Sequence, residues 1–249
     1  MKKQVILASC LSILAFSCKE KQEKSTALKD MAMLIEAPAT EVGGWVTLFD
    51  GKSMDGWHGY NADKVPSSWK VEEGEMVLYP LEGHHGGSNL VTDKDYTDFV
   101  LSLDWKISEG GNSGIMWGVK ENPEFGQPYV TGPEIQVLDD EGHPDGKNGR
   151  SHQSGALYDM IGASKDVVKP VGEWNTCVIT INHKKNVGKV ELNGKTVVKF
   201  PVTGEGWDKL VADSKFKNWK HFGKYPTGKI ALQDHGNKVS FKNIKIKEL

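Results

Sequence analysis

Three short stretches of this 249-residue chain set carboxylates, amides and an imidazole inside or beside apolar, strand-forming runs. They are Gly111-Asn112-Ser113-Gly114-Ile115, Gly132-Pro133-Glu134-Ile135-Gln136-Val137-Leu138-Asp139 and Leu232-Gln233-Asp234-His235-Gly236. An unpaired polar group buried in such a run costs roughly 1–3 kcal/mol, so a fold keeps one there for a reason. The two-residue repeat of a strand puts Glu134, Gln136 and Leu138 on one face and Ile135, Val137 and Asp139 on the other. A carboxylate and an amide side by side on a sheet suit a polyhydroxylated ligand, and His235 adds a group that exchanges protons near neutral pH. Glu134 and His235 are therefore the candidate catalytic residues. Gln136, Asp139, Arg150, His152, Tyr158, Gln233 and Asp234 are the candidate substrate-binding residues, with Asp234 or another acid placed to orient His235.

Each of these residues has another use. Glu134 can bind sugar hydroxyls, an arginine or a cation, and His235 can be a loop histidine bonded to backbone. Glu134, Asp139 and His143 offer oxygen and nitrogen to a divalent cation, the one cofactor the residues allow for. The loop carrying Asp139, Asp140, His143 and Asp145 matches no calcium-binding spacing, however, and reads first as a solvated charged loop. Asn112 sits in a Gly-rich turn where a positive φ would give it a backbone role. His84-His85 reads as loop, Trp57, Trp105 and Trp117 as core, and Lys215 as a surface lysine rather than a cation for an enolate.

Short strand-like runs must position these groups: 45–49, 69–71, 76–79, 89–92, 99–107, 114–119, 134–138, 156–158, 174–181, 189–192, 196–200, 228–233 and 239–247. Turn chemistry separates them, and Asn193-Gly194 between two runs predicts a type I′ hairpin. Only residues 206–216 read as a helix, with Trp207, Leu210 and Val211 on one stripe. Many short strands without βαβ alternation predict an all-β fold over residues 44–249: a concanavalin A-like jelly-roll sandwich of two antiparallel sheets, with at most one or two short helices. Cys177, in an apolar strand pattern, reads as a buried structural thiol.

Residues 1–18 form a targeting segment, with Lys2 and Lys3 ahead of an apolar stretch too short for the about 20 residues that span a bilayer. Ala15-Phe16-Ser17-Cys18 resembles a bacterial lipobox and makes Cys18 the expected lipidation site, preferred over Cys10, which has almost no apolar stretch before it. Residues 19–43 are a solvated tether. Lys19 is not the aspartate that retains lipoproteins at the inner membrane, so the expected location is the cell envelope, anchored to the outer membrane. A formal charge of −2 with interspersed signs shows no basic stripe for nucleic acid, and membrane contact is expected only through the lipid.

Further motifs bear on identity: residues 44–51, Trp69-Lys70-Val71-Glu72-Glu73-Gly74, Tyr96-Thr97-Asp98-Phe99, Gly155-Ala156-Leu157-Tyr158-Asp159, Gly172-Glu173-Trp174-Asn175, Leu192-Asn193-Gly194 and residues 241–246. Taken in order with the three polar stretches, they resemble the 3-keto-disaccharide hydrolase family across almost the whole of residues 44–249. The resemblance implies a jelly roll, an envelope or secreted location, and action on glycosides already oxidised at C3. A C3 ketone acidifies the C2 proton. Its removal gives an enolate, expulsion of the C1 oxygen breaks the glycosidic bond, and hydration completes a net hydrolysis. That route needs a base, an enolate-stabilising group and a leaving-group acid, not two carboxylates about 5 Å apart. The alternative function is a non-catalytic carbohydrate-binding module of the same fold. An ordinary endo-glycanase is disfavoured because Gln136 and Leu138 stand where acids at alternate positions would be needed.

Overall fold

The computed structural model describes residues 44–249 apart from Glu82, His84 and His85. The targeting segment with Cys18, the tether and the His84-His85 pair lie outside the described residues. Thirteen strands are described: β1 (Val46–Thr47), β2 (Trp57–Gly59), β3 (Trp69–Glu72), β4 (Glu75–Leu78), β5 (Leu90–Thr92), β6 (Phe99–Ile107), β7 (Asn112–Val119), β8 (Glu134–Leu138), β9 (Asn175–Asn182), β10 (Val187–Leu192), β11 (Lys195–Phe200), β12 (Lys229–Leu232) and β13 (Val239–Glu248). Among the described residues one helix, α1 (Gly204–Ala212), accompanies them with a few short 3-10 turns.

The strands form two antiparallel sheets, as their composition predicts. One runs β11-β10-β9-β6-β13-β4-β3, with β1 also paired to β13; the other runs β2-β5-β12-β7-β8. Along β6, Phe99, Leu101, Leu103, Trp105 and Ile107 are buried and the residues between them are half-buried. This two-residue alternation turns one face inward. It meets Ile115, Trp117, Ile135, Val137, Ile230 and Leu232 of the second sheet in one core. Cys177 on β9 is buried in that core, and burial pushes its thiol up to about 12, which leaves it inert as a nucleophile.

Asn193 and Gly194 both take positive φ between β10 and β11, the backbone a type I′ hairpin requires. Residues 156–158 depart from expectation, forming only isolated bridges and loop hydrogen bonds rather than a regular strand. β2 is an addition the sequence pattern did not signal. The helix also stops at Ala212: Ser214 is extended and its hydroxyl accepts from the Phe216 amide, starting a separate 3-10 turn over Lys215–Asn218. Both ends of this break matter, because they turn the 215–222 segment onto the outer face of the second sheet.

Candidate active site

β7 lies between β8 and β12, and the register fixes what its outer face meets. Gly114 stands opposite Gln136, Met116 opposite Glu134 and Asn112 opposite Leu138. On the other side Gln233, just past β12, donates its amide to the Gly114 carbonyl at 2.9 Å. Gly114 is thus flanked by Gln136 and Gln233, with Asn112 two residues along on the same face. The glycine is required sterically. A Cβ built on it would come 1.9 Å from Glu134 Oε1 and 2.5 Å from Cδ, so the carboxylate lies across the space the missing side chain leaves.

The wall beside this floor hangs on the free edge of β8. Gly155 donates to the Gln136 carbonyl at 2.9 Å, Gln136 to Ala156 at 3.1 Å and Tyr158 to Glu134 at 3.0 Å. These bonds protect the edge and set Tyr158 beside Glu134. The Tyr158 hydroxyl donates to Asp145 Oδ2 at 2.8 Å. The His152 ring lies between Asp145 Oδ1 (3.0 Å) and Asp159 Oδ1 (3.1 Å), and Asp159 Oδ2 accepts the Lys215 amide at 2.6 Å. Asp159 does this from a left-handed backbone, φ 61°, a conformation its short polar side chain tolerates. Lys215 Nζ is consequently held 4.1 Å from the centre of the Tyr158 ring. Phe216 stacks on Phe222 at 3.8 Å, and Trp219 meets Phe216 edge-on at 5.2 Å. Floor, wall and aromatic side enclose a cavity of about 300 Å³, lined also by Tyr129 and His235.

The electrostatics separate the titratable groups. Glu134 is 7 % exposed, and burial pushes its carboxyl up to about 8, opposed by the Lys215 charge and reinforced by that of Asp145. Asp145 moves the other way: burial works against it, but hydrogen bonds from Asn148 and Tyr158 and the His152 ring hold it below the usual carboxylate range. His235 stands at the rim, open to solvent on one side. Partial desolvation of its imidazole is the main cause lowering its pKa, and His143, edge-on with ring centres 5.8 Å apart, adds to it. Near neutral pH the pair is therefore a protonated carboxyl and a neutral imidazole.

Glu134, Gln136, Tyr158, Gln233 and His235 line one cavity. Four candidates lie elsewhere or serve differently. Asp139 faces away from Glu134, and its carboxylate caps the amides of Gly110, Glu141 and Gly142. Arg150 points out of the site, bonding the Ala163 carbonyl and both oxygens of Asp166. The Asp234 carboxylate is taken by the amides of Ser88 and Gly236, so it braces the turn beneath His235 without orienting the ring. His152 sits behind the cavity with both nitrogens against aspartates, as a positioning residue. His143 Nδ1 accepts the Asp145 amide. Glu134, Asp139 and His143 do not converge, and among the described residues no group of three or more His, Cys, Asp or Glu side chains is arranged to hold a metal ion.

Three residues gain roles that composition alone had understated. Asn112 takes no positive φ; it opens β7 and lines the cavity. Lys215, although exposed, also lines it, and Asp145 anchors the wall. The available signal for Asn112 was its two-residue spacing from Gly114 on a strand. None existed for Lys215, whose place depends on Asp159 far away in sequence.

Residues 44–247 match the family described as the 3-keto-alpha-glucoside-1,2-lyase-like domain. A Bacteroides thetaiotaomicron protein named 3-keto-disaccharide hydrolase is 36 % identical over 233 residues, covering 84 % of this chain and 80 % of its own. A solved structure of a candidate glycosyl hydrolase from Parabacteroides distasonis is 33 % identical with a TM-score of 0.76, covering 85 % of this chain and 99 % of its own. A second from the same organism is 28 % identical with a TM-score of 0.66, covering 82 % and 99 %. This chain is accordingly a hydrolase of the glycoside-cleaving kind, and it belongs to the family of 3-keto-alpha-glucoside-1,2-lyase-like domains.

Proposed function

We propose that this enzyme cleaves 3-keto-glycosides by removing the C2 proton, eliminating the C1 substituent and hydrating the enone. The observation that carries this reading is the buried Glu134 carboxyl, held across Gly114 and pushed up to about 8 in a cavity also lined by His235, whose pKa is lowered. Two groups driven apart in this way are ready at neutral pH as acid and base without prior proton exchange. His235, neutral, takes the C2 proton. Its electron pair moves into an enolate at the C3 oxygen, where the Lys215 ammonium provides opposing charge. The enolate re-forms the ketone as the C1–O bond breaks, and Glu134 gives its proton to the leaving oxygen. Glu134, now a carboxylate, deprotonates water for addition at C1, and the His235 imidazolium returns a proton to C2. The faces of Phe216, Trp219 and Tyr129 offer apolar surface to the sugar. The proposal includes an envelope location through lipid on Cys18, supported by the lipobox-like Ser17-Cys18.

The test uses a 3-keto-disaccharide, its unoxidised parent and a 3-keto-glucoside of nitrophenol, in D₂O. The parent should be inert, and the keto substrates should gain deuterium at C2 of the released 3-keto sugar. Glu134→Gln should cost about 10²–10⁴ on the disaccharide, the usual range for acid–base catalysis, and far less on the release of nitrophenol from the nitrophenyl substrate, a step that needs no acid. His235→Gln should lose C2 exchange with both. Turnover of the unoxidised sugar, or binding of the keto sugar with no cleavage at all, overturns the reading; the latter is the behaviour of a binding module.

A further inference from the structure

The aromatic side of the cavity is fastened to one end of its floor. Pairing sets Met116 between Glu134 and Ala231, Gly114 opposite Gln136 and Asn112 opposite Leu138, so Glu134 marks one end. His235 marks the other: its ring centre lies 5.8 Å from that of His143, whose amide bonds the Asp139 carbonyl just past Leu138. On the Glu134 side the Thr131 carbonyl accepts the Gly223 amide at 2.8 Å, and the Gly132 amide donates to the Pro128 carbonyl at 2.9 Å. These bonds draw together the 215–222 segment and the 3-10 turn Pro128–Val130, which carries Tyr129. The rings they bring are not equivalent. Phe216 and Phe222 are buried, stacked 3.8 Å apart at 7°, and cover each other's faces. Trp219 is half-buried and edge-on to both, at 84° and 90°. Tyr129 is 37 % exposed, its ring centre 6.0 Å from that of Trp219. Of the large apolar side chains left exposed among the described residues, Tyr129 lines the cavity and the other four do not.

We infer that Tyr129 and Trp219 form the subsite for the group that leaves from C1, and that it takes a leaving group with a flat apolar face, a pyranose or an aryl ring. This rests on the reading in which Glu134 protonates the leaving oxygen, and it narrows that reading. Acid and leaving group must meet, and the aromatic pair is fixed at Glu134's end of the floor while His235 holds the other. The enclosed volume of about 300 Å³ is at the small end for a ligand site, so the second unit of a disaccharide lies toward the mouth, where Tyr129 is exposed. There the C–H face of a pyranose or the face of an aryl ring packs on aromatic carbon. Such a contact reads flatness rather than a pattern of hydroxyls.

The test varies the leaving group and cancels its chemistry. Cleavage of the 3-keto-glucosides of methanol, glucose and phenol is measured for the full enzyme, Tyr129→Ala and Trp219→Ala. Each variant is compared with the native enzyme on the same substrate, so leaving-group acidity drops out. Both variants should lose about tenfold in kcat/KM on the glucosyl and phenyl substrates, mostly as a raised KM, and much less on the methyl one. A loss confined to one of the two rings would name the source the subsite takes. Tyr129→Phe keeps the ring and should recover the ring-bearing substrates, which guards against a loss through misfolding. Equilibrium titration with methyl and phenyl glucoside, unoxidised and so unreactive, reads the contact without cleavage. The phenyl sugar should bind more tightly, and Tyr129→Ala should remove the advantage. Equal losses on methyl and ring-bearing substrates overturn the inference, because they would move the pair onto the oxidised sugar. So do native kinetics in both alanine variants, or equal binding of the two glucosides by the native enzyme. A phenyl advantage in binding without cleavage of any 3-keto-glucoside would sink the elimination mechanism alone.

Discussion

Gly114→Ala is a one-methyl change whose effect on catalysis can be worked from the coordinates. The new Cβ would sit 1.9 Å from Glu134 Oε1, 2.5 Å from Cδ and 2.8 Å from Cγ, against an ordinary contact that begins at 3.4 Å. About 1.5 Å must be found, and β7 cannot supply it because Gly114 is paired to Gln136 on one side and accepts from Gln233 on the other. The carboxyl moves instead. A reacting group misplaced by about 1 Å costs on the order of 10² in rate, so disaccharide cleavage should fall at least that far. Overpacking costs about 1–3 kcal/mol, which in a domain of this size lowers the melting temperature by about 2–12 °C and leaves it folded. Steady-state kinetics on a 3-keto-disaccharide, with thermal melts by circular dichroism, measure both. The decisive arm is the cycle with Glu134→Gln: if the methyl acts through that carboxyl, adding it to the Gln variant should cost little further rate. Unchanged turnover in Gly114→Ala, or a full additional loss in the double variant, refutes the reasoning.

Other outcomes follow from the same geometry. Activity should be bell-shaped in pH, with an acid limb below 6.5 from the lowered His235 and an alkaline limb near 8 from Glu134; a rate still rising above pH 9 would reverse their roles. Glu134 is raised from 4.5 in the folded state, so the fold holds its proton and loses stability as pH climbs from about 4.5 through 8. Glu134→Gln should therefore melt higher than the native enzyme by at least about 2 °C at pH 8, the gap closing toward pH 5; a pH-independent gap contradicts this. Lys215→Met should lower kcat by about 10²–10³, the usual loss for an oxyanion donor, and move the alkaline limb upward, because Lys215 opposes the rise of Glu134. Cys18→Ala should shift the protein from the membrane to the soluble fraction on cell fractionation, and unchanged membrane association would refute the anchor.

How much could be read from residues alone follows from the range of the forces involved. Periodicity and turn chemistry act within a few residues, so β6 and β8 appear in the sequence with their observed ends, as does the Asn193-Gly194 turn. The shared face of Glu134 and Gln136 follows from the same local rule. The 156–158 run shows where that rule stops. Its composition is strand-like, yet it serves as a partial edge cover whose bonds depend on β8, not on its own residues. Arg150 and Asp139 were chosen for their chemistry, but Asp166 and three backbone amides claim them. Lys215 went the opposite way, brought to the cavity by Asp159 across 56 positions.

The position of the last two strands also bears on the order in which the molecule can be made. β12 lies between β5 and β7, and β13 lies between β6 and β4, so one interior strand of each sheet comes from residues 229–248. β13 further clasps β1, with Val46 opposite Ile246. Neither sheet can close until residues 229–248 have been synthesised, and contacts of such long sequence separation slow folding. A chain emerging from a ribosome or a translocation pore would thus stay open until those residues had emerged. Its earlier strands, long exposed without their central neighbours, would be the segments that depend on chaperones. Removal of the last twenty or so residues would divide both sheets at once rather than fray one edge.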